Sequence, residues 1–145
     1  MTKLEFMNEA FKEAKLAYKN DEVPVGCVIV RNDKVIARAH NLKEKKKDPT
    51  SHAEVECIRR ACKKIKKKYL EDSEMYVTLE PCLMCVGAIK EARLNKIYVG
   101  AKDPKGGYVV SRETVLTQKE LDKYSFGFMK EDISKLLKSF FKSKR

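Results

Sequence analysis

Met75-Tyr76-Val77-Thr78-Leu79-Glu80-Pro81-Cys82-Leu83-Met84-Cys85 changes character at its middle, from extended to helical. Met75 to Leu79 holds residues that suit a pleated surface and predicts a strand. Pro81 suits the first turn of a helix, where its missing N–H costs little. A helix is therefore expected to carry Cys82 and Cys85 and to reach about Ala92. Ile97-Tyr98-Val99-Gly100 reads as another strand, ended by the turn residues Asp103-Pro104-Lys105-Gly106-Gly107. Strands joined through a helix are expected to run parallel.

Upstream, Ile58, Cys62, Ile65 and Tyr69 recur at helical spacing and predict a buried stripe, with lysines outside and Cys62 as a small core residue. Gly26 to Val30 and Lys34 to Ala39 flank Asn32-Asp33 and read as a hairpin. Thr2-Lys3-Leu4-Glu5 is a capping box. Leu4, Met7, Phe11, Ala14 and Tyr18 follow it at helical spacing, so a first helix runs to about Asn20. Lys43 to Thr50 reads as a polar loop that delivers the chain to His52. Downstream, Ser111 to Asp122 is expected to be helical and Tyr124 to Met129 to form a weak fifth strand. Ile133, Leu136, Leu137, Phe140 and Phe141 fit an amphipathic terminal helix. This order predicts an α/β fold: a three-layer α/β/α sandwich around a mixed, mostly five-stranded sheet. The 145 residues fit one domain, 1–145.

His52-Ala53-Glu54 and Pro81-Cys82-x-x-Cys85 supply the chemistry. One imidazole and two thiolates make three zinc ligands and leave a fourth tetrahedral position for water, as catalytic zinc sites do. Glu54 is suited to moving protons beside that water, whose pKa zinc lowers to about 7. A redox pair does not call for the distant His-x-Glu. A structural knuckle wants a fourth Cys or His, and the remaining supply is His40, Cys27, Cys57 and Cys62, none in a second C-x-x-C. Helix starts favour thiolate through their free N–H groups, and sites in open α/β sheets gather where parallel strands end.

Net charge is +11, from 32 Lys and Arg against 21 Asp and Glu. Such a field favours a polyanion, nucleic acid foremost, although runs such as Lys66-Lys67-Lys68 also occur as plain solvated surface. No apolar run approaches a membrane span, and Met1 to Glu5 lacks the apolar core of a signal segment. An odd number of cysteines without disulfide spacing points to a reducing cytoplasm.

Beyond these residues the chain resembles the bacterial tRNA-specific adenosine deaminases, of the cytidine-deaminase-like superfamily. The resemblance is close from Glu22 through Gly107. It is carried by Glu22-Val23-Pro24-Val25-Gly26, Asn41, Asp48-Pro49-Thr50-Ser51-His52-Ala53-Glu54, Thr78-Leu79-Glu80-Pro81-Cys82-Leu83-Met84-Cys85 and Gly100-Ala101-Lys102-Asp103. It implies hydrolysis of adenosine to inosine at the wobble position of a tRNA anticodon loop, with one zinc ion per subunit on His52, Cys82 and Cys85 and with Glu54 catalytic. It also implies that Asn41 bonds the target nucleotide, that the Ala53 backbone holds the base and that Val25 lines the pocket. Asp103 and Lys105 would meet the flanking anticodon nucleotides, and Phe141, Lys142, Lys144 and Arg145 would grip RNA, with Phe140 in the core. A homodimer is implied in the same way.

Two stretches depart from the family pattern. Tyr124-Ser125-Phe126-Gly127-Phe128 stands where an Asn-His-basic motif is usual, and the chain stops at Arg145 soon after its last helix. Two other functions stay open: deamination of a free base or nucleotide (guanine, cytosine or a deoxycytidine nucleotide), and a zinc-stabilised RNA-binding module without activity.

Overall fold

The computed structural model describes residues 1–144. Its elements are α1 (Lys3–Lys19), β1 (Gly26–Arg31), β2 (Lys34–His40), α2 (Lys43–Lys46), α3 (Ala53–Ile65), β3 (Ser73–Leu79), α4 (Leu83–Ala92), β4 (Lys96–Ala101), α5 (Gln118–Leu121), β5 (Tyr124–Phe126) and α6 (Lys130–Ser143). The strands form one sheet in the order β2-β1-β3-β4-β5. β1 is antiparallel to both neighbours, whereas β3, β4 and β5 are parallel. Because β1 lies between them, β2 and β3 point the same way, as strands linked through a helix should. The sheet is mixed and covered on both faces, as the element order predicts.

Alternation along the strands sorts the side chains. Cys27 and Ile29, Met75 and Val77, and Ile97 and Val99 face a core shared with Cys57 and Ala61 of α3 and Ile89 of α4. Val28 and Val30, Tyr76 and Tyr98 face the other way, onto Phe6, Met7, Ala10 and Phe11 of α1 and Ile133 of α6. Phe6, Tyr76 and Tyr98 make an aromatic row on that side, the two tyrosines stacked at 4.6 Å. α1 lies so close to β1 that a Cβ on Gly26 would stand 2.0 Å from the Ala10 carbonyl oxygen. Only glycine permits that approach.

Local signals explain the boundaries. The Thr2–Glu5 capping box is formed at 3.0 and 3.1 Å and starts α1. Asn32 and Asp33 both take positive φ, 52° and 58°, which turns the β1–β2 hairpin. α2, α3 and α4 each end on a basic residue in the left-handed region: Lys47, Lys66 and Arg93.

Several expectations are corrected. Ser111 to Asp122 is not a helix; only the turn Gln118–Leu121 is, behind a Thr117–Glu120 capping box. The Ser111 N–H, like those of Val109 and Val110 just before it, bonds the Glu80 carboxylate, the Arg112 N–H returns to the Gly107 carbonyl, and the Leu116 N–H goes to the Thr114 hydroxyl. The polar loop before His52 contains the short helix α2. Pro81 precedes the helix cap, Cys82, rather than occupying the first turn. Ile58, Cys62 and Ile65 are half-buried flank; Ala53, Cys57 and Ala61 are the buried face of α3. Tyr69 lies beyond the end of α3, with the Arg93 guanidinium 3.8 Å from its ring centre. β5 stops at Phe126, before Gly127 with φ 106°. Cys27 and Cys57 are buried, the Cys57 thiol donating to the Cys27 carbonyl at 3.6 Å, and all five cysteines are free thiols. Among the described residues no helix is long and apolar enough to cross a membrane.

Candidate active site

Two helices begin side by side. His52 caps α3 and Cys82 caps α4, both with extended backbone (ψ 153° and 175°) and neither bonding its own helix through its side chain. The two side chains are thereby free to meet. His52 Nδ1 lies 3.5 Å from Cys82 Sγ and 3.4 Å from Cys85 Sγ. The three candidate ligand atoms all lie within 4.8 Å of one another. Tetrahedral zinc with Zn–N near 2.05 Å and Zn–S near 2.3 Å sets nitrogen and sulfur about 3.5 Å apart, so this donor set fits that ion. The cluster supplies three donors, which leaves a fourth position open to a small molecule.

The three candidate donors perturb one another. The hydrogen bond from Cys85 draws Cys82 down to about 4, with His52 adding to the effect against the cost of burial. Cys85, fully enclosed, is driven upward by that bond and by burial. His52 is raised by its bond to Cys82. Glu54, on the first turn of α3, is only 4% exposed, and burial pushes its carboxyl up to about 7. Such a group exchanges protons near neutrality.

Around the cluster, backbone is tied to side chains. Asn41 Oδ1 accepts the Ala53 N–H at 2.8 Å, its Nδ2 donates to the Val23 carbonyl at 3.1 Å, and its own N–H donates to the Val25 carbonyl at 3.2 Å. Asn41, Ala53 and Val25 are therefore gathered at the α3 start, all buried. Glu22, 2% exposed, accepts the N–H groups of Glu44 and Lys45 at 3.1 and 2.9 Å, and so anchors α2 beside them. On the far side Asp103 folds its own turn, its Oδ1 accepting from the Lys105 and Gly106 N–H groups. Tyr108 N donates to the Pro81 carbonyl at 3.0 Å, which brings this turn beside the thiolates. The anchoring roles of Glu22 and Glu80 escaped sequence reasoning. Their signal was a carboxylate at the edge of an apolar run, adjacent to a segment rich in turn residues.

The family model of the MafB19-like deaminases matches residues 1–145. The tRNA-specific adenosine deaminase of Aquifex aeolicus is 44% identical over 100% of this chain and 97% of its own. The chain belongs to the tRNA-specific adenosine deaminase family. A solved structure from work on A-to-I editing by tRNA:A34 deaminases at the wobble position of transfer RNA is 40% identical, with a TM-score of 0.87. It covers 92% of this chain and 99% of that one. The guanine deaminase of Bacillus subtilis is 36% identical with a TM-score of 0.68, over 70% of this chain and 66% of that one.

In this family member, His52, Glu54, Cys82 and Cys85 converge with Asn41, Ala53 and Val25, and the Asp103–Lys105 turn stands close by. Phe141 is not brought to them. It lies on α6, in the opposite helical layer, half exposed and edge-on to buried Phe140 at 5.4 Å. Lys142 and Lys144 end the same helix, Lys144 pairing with Asp21. Arg145 lies outside the described residues. Tyr124 and Phe126, where the family's Asn-His-basic motif is usual, pack against the α3–α4 core.

Proposed function

We propose that this chain converts adenosine to inosine at the wobble position of a tRNA anticodon loop, using water and releasing ammonia. His52, Cys82 and Cys85 hold one zinc ion per subunit. The observation that carries the reading is the meeting of these donors at two helix starts, with a buried glutamate beside them. Held by His52, Cys82 and Cys85, zinc would supply an acidified water as the nucleophile at neutral pH. Glu54 would take a proton from the attacking water, pass it to the ring nitrogen and then deliver the water's second proton to the amine, which would leave as ammonia. Its place in the α3 first turn keeps the carboxylate fixed and out of bulk solvent.

Asn41 spends Oδ1 and one amide hydrogen on the backbone, which leaves its second amide hydrogen for the target nucleotide. Val25 closes the pocket wall, and the Ala53 backbone sits beneath the base. Asp103 and Lys105 meet the neighbouring anticodon nucleotides. Phe141, Lys142 and Lys144 reach RNA from α6, phosphates being gripped by cations and unstacked bases by rings. A homodimer is supported by the apolar side chains that α4 leaves in solvent, Leu83 and Met84. The cytoplasm, where tRNA is modified and thiols stay reduced, is the compartment of action.

Deamination of a free base is the second reading, favoured by the similarity to a guanine deaminase. One assay separates them. The zinc-loaded protein is incubated with tRNA bearing a wobble adenosine, free adenosine, guanine and cytosine, and inosine and ammonia are measured. Inosine from tRNA alone is expected. Ammonia from guanine or cytosine transfers the function to the second reading, and no product from any substrate leaves an RNA-binding module. RNA affinity is expected to fall steeply with added salt, because net charge is +11.

A further inference from the structure

We infer that Glu80 is a positioning residue for the RNA substrate: its carboxylate fixes the 103–111 loop against the turn that bears the two cysteines, and so sets where Asp103 and Lys105 meet the anticodon strand. This rests on the function proposed above and assigns Glu80 no contact with the reacting atoms.

Glu80 directly follows β3 and precedes Pro81-Cys82, and is 3% exposed. Oε1 accepts the Asp103 N–H at 3.0 Å and the Ser111 hydroxyl. Oε2 accepts the N–H groups of Val109, Val110 and Ser111 at 3.0, 2.8 and 3.0 Å. Four backbone donors and one hydroxyl, from both ends of a nine-residue loop (103–111), thus close on one side chain. The loop leans on it without room to spare: a Cβ at Gly107 would stand 2.4 Å from the Glu80 carboxyl carbon. Between these anchors hang Pro104, Lys105 and Gly106, whose own fold depends on Asp103 Oδ1. Glu80 N also donates to the Ala101 carbonyl at 2.9 Å, so strand, cysteine turn and loop are tied at one residue.

A buried anion that satisfies several backbone N–H groups cannot be replaced by an amide without turning an NH2 toward some of those donors. Glu80→Gln therefore loosens the loop while leaving the cysteines and Glu54 in place. With a wobble-adenosine stem-loop as substrate, KM is expected to rise about ten-fold, with kcat and zinc stoichiometry within two-fold of wild type. Ser111→Ala, which removes one donor only, is expected to raise KM two- to three-fold and serves if the glutamine variant folds poorly. Amide exchange is expected to quicken at 103–111 in both variants and to stay unchanged in α3. A fall in kcat at constant KM, or no change in either constant, overturns the inference. A wild-type protein that makes no inosine from tRNA overturns the proposed function instead, and exchange at 103–111 still decides whether Glu80 holds the loop.

Discussion

The floor of the site around Glu54 and its wall around Glu80 each bury a glutamate, at 4% and 3% exposure, yet the two carboxylates behave oppositely. At Glu54 burial dominates; its own backbone N–H and the Cys85 thiol offset it only in part, and the carboxyl rises to about 7. At Glu80 burial acts in the same direction, but the Ser111 hydroxyl and the N–H groups of Val110, Ser111 and Asp103 outweigh it and hold the carboxyl below the usual glutamate range. Both the number of donors and how deeply the group is enclosed decide whether a buried carboxylate is a proton carrier or a fixed anion: Glu54 is the more deeply enclosed, and Glu80 has the more donors. The first suits turnover. The second suits architecture.

That contrast can be broken at the candidate metal donors. Cys85→Ser, or removal of metal by a chelator, is expected to abolish inosine formation and to lower the unfolding temperature. Unchanged activity in metal-free protein, checked by elemental analysis, would remove zinc from the site. Glu54→Gln is expected to cost roughly a thousand-fold or more in turnover with zinc retained. Its stability should match or exceed wild type, since a carboxyl without enough donors is removed. Measured loss of stability greater than about 1 kcal/mol contradicts the reading of Glu54 as poorly solvated.

Glu80→Leu reverses the pattern. It leaves four N–H groups without their acceptor and is expected to lose about 3 kcal/mol or more in denaturant unfolding. A loss as small as that of an ordinary surface change would show that water replaces the carboxylate freely. The smallest effect is expected at Ser51, next to His52. Its buried hydroxyl has no partner among the described residues, so Ser51→Ala should shift stability by no more than about 0.5 kcal/mol.

How much of this was legible in the sequence follows from what each residue type can do. Imidazole and thiolate are frequent zinc donors, so the cluster of His52, Cys82 and Cys85 was legible from identity and spacing. The hairpin was legible at Asn32-Asp33, because few residues tolerate positive φ. Alternation in Val28, Ile29 and Val30 marked a strand but not which helix would cover which face. The helix expected over Ser111 to Asp122 does not form: the Ser111 N–H is claimed by Glu80, some thirty residues away in sequence, the Arg112 N–H returns to the Gly107 carbonyl and the Leu116 N–H goes to the Thr114 hydroxyl. Local propensity carries no trace of such a claim. The same holds for Asn41, whose bond to the Ala53 N–H depends on the closure of a loop. Half-burial of Cys62 and Ile65 was hidden as well, since periodicity shows a stripe's direction but not its depth.

The helix starts at His52 and Cys82 are occupied by the His-Cys-Cys cluster, so ordinary cap residues cannot be installed there without dismantling it. Room for hardening the protein against heat lies at the other end of α3, where Lys66 holds φ 57° without glycine's freedom. Lys66→Gly relieves about 1 kcal/mol of left-handed backbone cost and is expected to raise the melting temperature by a few degrees. Thirteen residues of helix separate that change from the imidazole, so thermostability and catalysis can be tuned independently.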